Sequence, residues 1–111
     1  MIIAVIADDF TGANDNGALL AAKGFSSATC LGLAHWNPKE FTQCDAVCLN
    51  AESRLLHRED AYKAVYDAVT EFNKEKPALV SKRIDSTLRG NVGAELEAAI
   101  KAMDDTHGKI Q

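Results

Sequence analysis

The sequence has no apolar run approaching the roughly 20 residues that a membrane-spanning helix needs, so no membrane partner is expected. It also lacks a surplus of positive charge, with a formal net charge of −4. Without a basic stripe to displace counterions, nucleic acid is not the expected partner. A small anion stays open, because a few local lysines and arginines can outweigh the global balance. The opening stretch "MIIAVIADD" has no positive region and meets two aspartates almost at once, so it does not read as a secretion signal. Cysteine is scarce and odd in number: Cys30, Cys44 and Cys48. Reduced thiols and a cytoplasmic location are therefore expected. A zinc site built from Cys44, Cys48, His35 and His57 lacks the C-x-x-C spacing, and Cys48 sits inside an apolar run, so no metal is expected. Internal repeats, low-complexity tracts and linkers are absent, and 111 residues allow one compact domain.

What is present alternates between two patterns. Residues 1–7 form a continuous β-branched-rich run, a buried strand. Residues 13–23 read as an alanine-rich helix, with Gly24 at its left-handed C-terminal position. Strands follow at 26–33 and 45–49, separated by a loop over 35–44 in which His35 and Trp36 are expected at the surface. The clearest helix spans 57–74, where Ala61, Val65, Ala68, Val69 and Phe72 fall on one face of a 3.6-residue period. After Pro77 a fourth strand begins at Ala78 and runs to Ser81 or as far as Ile84. A last helix is capped by Asn91 and presents Val92, Leu96, Ala99, Ile100 and Met103. The order β-α-β-β-α-β-α implies an α/β fold of three layers, a largely parallel sheet with flanking helices.

In such a sheet the C-terminal ends of the strands share one edge, and ligands bind in the crevice there. Three polar clusters follow strands: Asp8 to Gly12, Asn50 to Arg54, and "KRIDSTLRGN" from Lys82 to Asn91. An aspartate at a strand end can orient a hydroxyl, act as a general base or hold magnesium. If the strand continues through Asp8 and Asp9, alternation lets only one of them face the site. Thr11 and Asp15 also fit a plain capping role at the helix start. In the third cluster Lys82, Arg83 and Arg89 are cations beside a helix N-terminus, with Ser86 and Thr87 as hydroxyl donors and Asp85 as a counter-charge or sugar-hydroxyl partner. An internal salt-bridge network is the competing explanation. Alternation turns Arg83 away from the site. Arg54 reads equally as a carboxylate grip or an exposed arginine.

The stretches "IADDFTGANDNGALLAAKG" and "KRIDSTLRGNVGAELEAAI" resemble the N-terminal, sugar-acid-binding domain of the four-carbon acid sugar kinases, and the resemblance runs along essentially the whole chain. It implies an ATP-dependent kinase of two α/β domains. The first recognises a four-carbon sugar acid such as threonate, erythronate or 3-oxo-tetronate. The second, C-terminal, holds ATP and Mg, and the product is the 4-phosphate. It implies substrate contacts from Asp8 or Asp9, with Asp9 the candidate catalytic residue, and from Arg54, Lys82, Asp85 and Ser86, with Arg89 nearby. The chain ends where the family continues into more strands and a nucleotide domain, so residues 1–111 are expected to be a truncated first domain, inactive alone because phosphoryl transfer needs the ATP phosphates in line with the acceptor. A homo-oligomer is compatible with this reading.

Three other readings stand beside it. A receiver-like signalling module would need an aspartate ending the third strand, where the chain has "LNAESR". A phosphatase with Asp8 as nucleophile would want Asp-x-Asp-x-Thr, where the chain has Asp-Asp-Phe-Thr. A non-catalytic binding or assembly fragment is the last.

Overall fold

The computed structural model of the chain describes residues 1–84 and 90–107. Its elements are β1 (Ile3–Ala7), α1 (Phe10–Ala22), β2 (Ser27–Cys30), a 3-10 turn (Leu33–His35), α2 (Pro38–Phe41), β3 (Ala46–Asn50), α3 (Arg58–Asn73), β4 (Leu79–Lys82) and α4 (Val92–His107). The four strands form one sheet in the order β2-β3-β1-β4, and every pairing is parallel. The expected architecture is therefore observed, with a wholly rather than largely parallel sheet.

Period-2 alternation builds the layers. Ala4 and Ile6 of β1, with Val47 and Leu49 of β3, turn to one side and pack with Val65, Ala68, Val69 and Phe72 of α3 and Ala98 and Ala102 of α4. Val5, Ala7 and Cys48 turn to the other side and pack with Ala13 of α1. Both central strands are covered on both faces, which is why they read as unbroken apolar runs. The α3 face matches the periodicity residue for residue: all five positions are fully buried.

Four expectations are corrected. Helix α1 starts at Phe10, three residues early, because Asp9 leaves the strand in an extended conformation and accepts a hydrogen bond from Gly12 N at 2.8 Å. Asp9 is thus the cap, Thr11 lies within the helix, and Asp15 falls beyond the first turn. In α4 the buried residues are Ala94, Glu95, Ala98 and Ala102, whereas Ile100 is exposed. The buried face is turned by about one residue, roughly 100°, since the alanine stripe lets α4 lie close on α3. The loop over 35–44 contains α2, opened by Asn37 Oδ1 accepting from Lys39 N at 3.2 Å. Trp36 is half-buried rather than at the surface: it stacks on Phe41 and meets Phe72 edge-on at a centroid distance of 4.9 Å.

Candidate functional site

The central position of β1 determines where the site lies. Ala7 stands level with Asn50 of β3, and Ile6 level with Lys82 of β4. The segments that follow these strands therefore leave from one edge of the sheet, as the parallel topology requires. The turn after β3 is pulled back onto β1. Asn50 Oδ1 accepts from Glu52 N at 2.9 Å, and Glu52 takes a left-handed φ of 53° that an L residue adopts at a cost. This reversal lets Ser53 N and Arg54 N both donate to Asp8 O, at 3.0 and 3.2 Å. Gly90, with φ +84°, crosses above: a Cβ there would stand 3.3 Å from Arg54 O.

These backbone bonds aim the Arg54 side chain at the aspartates. Its Nε and Nη2 donate to Asp8 Oδ2 and Oδ1 at 3.1 and 3.2 Å, a parallel two-bond grip. Its Nη1 stands 3.0 Å from Asp9 Oδ2. The Asp8 side chain is only 5% exposed and that of Asp9 30%, so the more buried carboxylate receives the stronger pairing. Asp8, Asp9, Phe10, Asn50, Glu52, Arg54 and Leu55 line a cavity of about 460 Å³, within the range of small-molecule sites.

Asp8, Asp9 and Arg54 are thus brought together from positions 46 residues apart. The strand does not continue through the two aspartates: β1 ends at Ala7, alternation does not apply beyond it, and both carboxylates meet Arg54. Lys82 lies on the same edge, but its ammonium is not open. It donates to Arg83 O at 2.6 Å and stands 3.1 Å from Glu95 Oε1, with the two side chains 8% and 2% exposed. That separation is an ion pair without hydrogen-bond alignment, for Glu95 Oε1 has no hydrogen-bond partner. Glu95 was missed from the sequence, where a glutamate in a helix reads as a solvated position. Asp85, Ser86 and Arg89 lie outside the described residues.

Burial pushes the Cys48 thiol up to about 11, and that of Cys30 is also raised, chiefly by burial. Neither offers a thiolate near neutral pH. What the site offers is acceptor oxygens on two carboxylates held by one guanidinium. That arrangement suits a ligand with several hydroxyl donors.

A family model described as the sugar-binding N-terminal domain matches residues 3–110. Over 101 residues the chain is 42% identical to a D-erythronate kinase of Heliobacterium modesticaldum, covering 91% of this chain and 23% of that protein. Over 103 residues it is 45% identical to a D-threonate kinase of Salmonella typhimurium, covering 92% and 24%. The chain thus spans about a quarter of the length of these relatives. A crystal structure from Bordetella bronchiseptica, a domain of unknown function with bound citrate in a domain-swapped dimer, superposes with a TM-score of 0.85 at 30% identity, over 92% of this chain and 26% of that one. The motifs after β1 and β4, the parallel sheet and the family match agree: this chain belongs to the family of sugar-binding N-terminal domains.

Proposed function

We propose that the chain is the substrate-binding portion of an ATP-dependent kinase that phosphorylates a four-carbon sugar acid to its 4-phosphate. The observation that carries this is the Asp8–Arg54–Asp9 cluster over its cavity at the C-terminal edge of the sheet. Similarity to kinases of D-erythronate and D-threonate supports the substrate class. So does citrate, another hydroxylated carboxylic acid, in the structural neighbour.

In this reading the ligand's hydroxyls donate to Asp8 and Asp9. Asp9 is the more open of the two, and it orients the reacting hydroxyl and accepts its proton. Among the residues lining the cavity, Asp8, Asp9 and Glu52 outnumber Arg54 and leave this wall negative. The acid group of the ligand therefore turns to the cationic third cluster, where Asp85, Ser86 and Arg89 complete the contacts, while Lys82 stays engaged by Glu95 and Arg83 O. Among the described residues no group of three His, Cys, Asp or Glu side chains is able to hold a metal ion, and Arg54 engages both aspartates. ATP and Mg are assigned to a C-terminal domain of the kind the relatives' length leaves room for, and the chain alone is inactive. A cytoplasmic location follows from the ATP requirement, and a homo-oligomer is in keeping with the dimeric neighbour.

Calorimetry of the chain with D-threonate, D-erythronate and 3-oxo-tetronate tests this reading. Binding of at least one acid, abolished in Arg54→Met, is expected. Failure of all three to bind the folded wild-type chain would refute it.

A further inference from the structure

Arg83 is the first residue past β4, and its backbone is held at both ends. Its N–H donates to Ile6 O at 2.8 Å, extending the β1–β4 ladder by one step, and its carbonyl accepts from Lys82 Nζ. Lys82 turns toward α4 and Arg83 to the opposite side, onto the start of α1, so the expectation that alternation turns Arg83 away from the site is corrected.

There its side chain lies across Gly12. A Cβ at position 12 would collide with Arg83 Nη1, would stand 3.3 Å from Arg83 Cδ, and 3.1 Å from Asp9 Oδ1. Gly12 is buried in the first turn of α1 and has no left-handed φ. Glycine inside a helix costs up to about 1 kcal/mol relative to alanine, and here it leaves room for the Arg83 side chain in its observed position. The space is filled by a guanidinium.

That guanidinium makes no hydrogen bond or ion pair to the described residues, although its residue is half-buried. The acceptors beside it are already engaged: Asp9 Oδ1 takes the Gly12 N–H, and Asp9 Oδ2 faces Arg54. Five N–H donors on a rigid fork thus lie beside the start of α1 with no partner among the described residues. Planar, paired donors of this kind match carboxylate or phosphoryl oxygens.

We propose that Arg83 is a further ligand-binding residue of this site. It grips an anionic oxygen pair of the ligand, and Gly12 is the slot that lets its side chain reach. This rests on the sugar-acid reading, in which the anion is the carboxylate of the acid or the phosphoryl group of its phosphate. It gives Arg54 and Arg83 different tasks: Arg54 fixes the two aspartates, and Arg83 meets the charge of the ligand.

The test is calorimetry of wild type, Arg83→Gln, Arg83→Lys and Gly12→Ala, with folding checked by circular dichroism, against D-threonate, the uncharged polyol threitol and inorganic phosphate. Loss of a charged hydrogen bond predicts binding about 10- to 100-fold weaker in Arg83→Gln. Threitol binding is expected to stay unchanged, Arg83→Lys to recover part of the loss, and Gly12→Ala to reproduce it by displacing the fork. An effect on threonate identifies the carboxylate as the partner; an effect on phosphate alone identifies the phosphoryl group. If Arg83→Gln binds both anions as wild type does, or loses threitol in equal measure, the inference falls while the sugar-acid reading stands. If wild type binds no sugar acid but binds phosphate through Arg83, that reading falls and the inference stands. If wild type binds no anion, both fall.

Discussion

Replacing Glu95 by alanine removes one partner of the most buried ion pair among the described residues and leaves the other in place. The Lys82 side chain is 8% exposed and would keep a single hydrogen bond, to Arg83 O. Breaking a buried pair by deleting one charge costs roughly 3–5 kcal/mol, since the remaining charge stays desolvated. Glu95 Oε1 already lacks a hydrogen bond, so the pair is imperfect and the lower end applies, about 3 kcal/mol. Against a total stability on the order of 5–15 kcal/mol this is a large share. In urea, at a slope of about 1.5 kcal/mol/M, the midpoint should fall by about 2 M with the slope unchanged. The double variant Lys82→Met, Glu95→Leu removes both charges and keeps apolar volume. It should be markedly more stable than Glu95→Ala and near wild type. A Glu95→Ala midpoint within about 0.3 M of wild type would refute the reasoning, as would a double variant no better than the single one.

The same logic predicts that Arg54→Met destabilises the chain by about 3 kcal/mol in urea unfolding, because Asp8 would keep its burial and lose both bonds from the guanidinium. An unchanged midpoint would mean that Asp8 is satisfied without Arg54. Cys48 predicts a pH effect. Its folded-state value is raised from 9.0 to about 11, so its neutral thiol contributes fully below pH 9, and that contribution is lost as pH rises through 11. Native chain at pH 8 should react with a thiol reagent at Cys48 far more slowly than urea-unfolded chain; equal rates would contradict its burial beneath α1.

The sequence made legible whatever depends on local pattern. Residues 3–7 and 46–50 are buried on both faces, and a two-sided burial writes itself as an unbroken apolar run. Helix α3 has one buried face and exposed charged residues such as Glu59, Asp60 and Lys63 away from it, so its period is plain. Helix α4 is harder to read: alanine serves on either face, and the larger Ile100 points to solvent. Glu95, buried on this helix, is paired with Lys82 of another element. Asp9 shows the same limit. Its cap on α1 ends the strand, and only knowing where the strand stops reveals that Asp8 and Asp9 both turn to Arg54. Gly12 and Arg83 are 71 positions apart, and their fit has no trace in spacing. That the segments carrying the clusters leave from one edge was readable because it needs only topology. The state of each charge within them depends on tertiary pairing.

The central claim is that a four-carbon sugar acid seats against the Asp8–Arg54–Asp9 cluster. Its most direct test is a 15N–1H correlation spectrum of the labelled chain, titrated with D-threonate and D-erythronate. The Arg54 Nε–H, which donates to Asp8, and the Gly12 N–H, which donates to Asp9, report on the two aspartates. Saturable shifts of both resonances with one of the acids are the result this account predicts. Resonances that stay fixed while the acid binds elsewhere would contradict it.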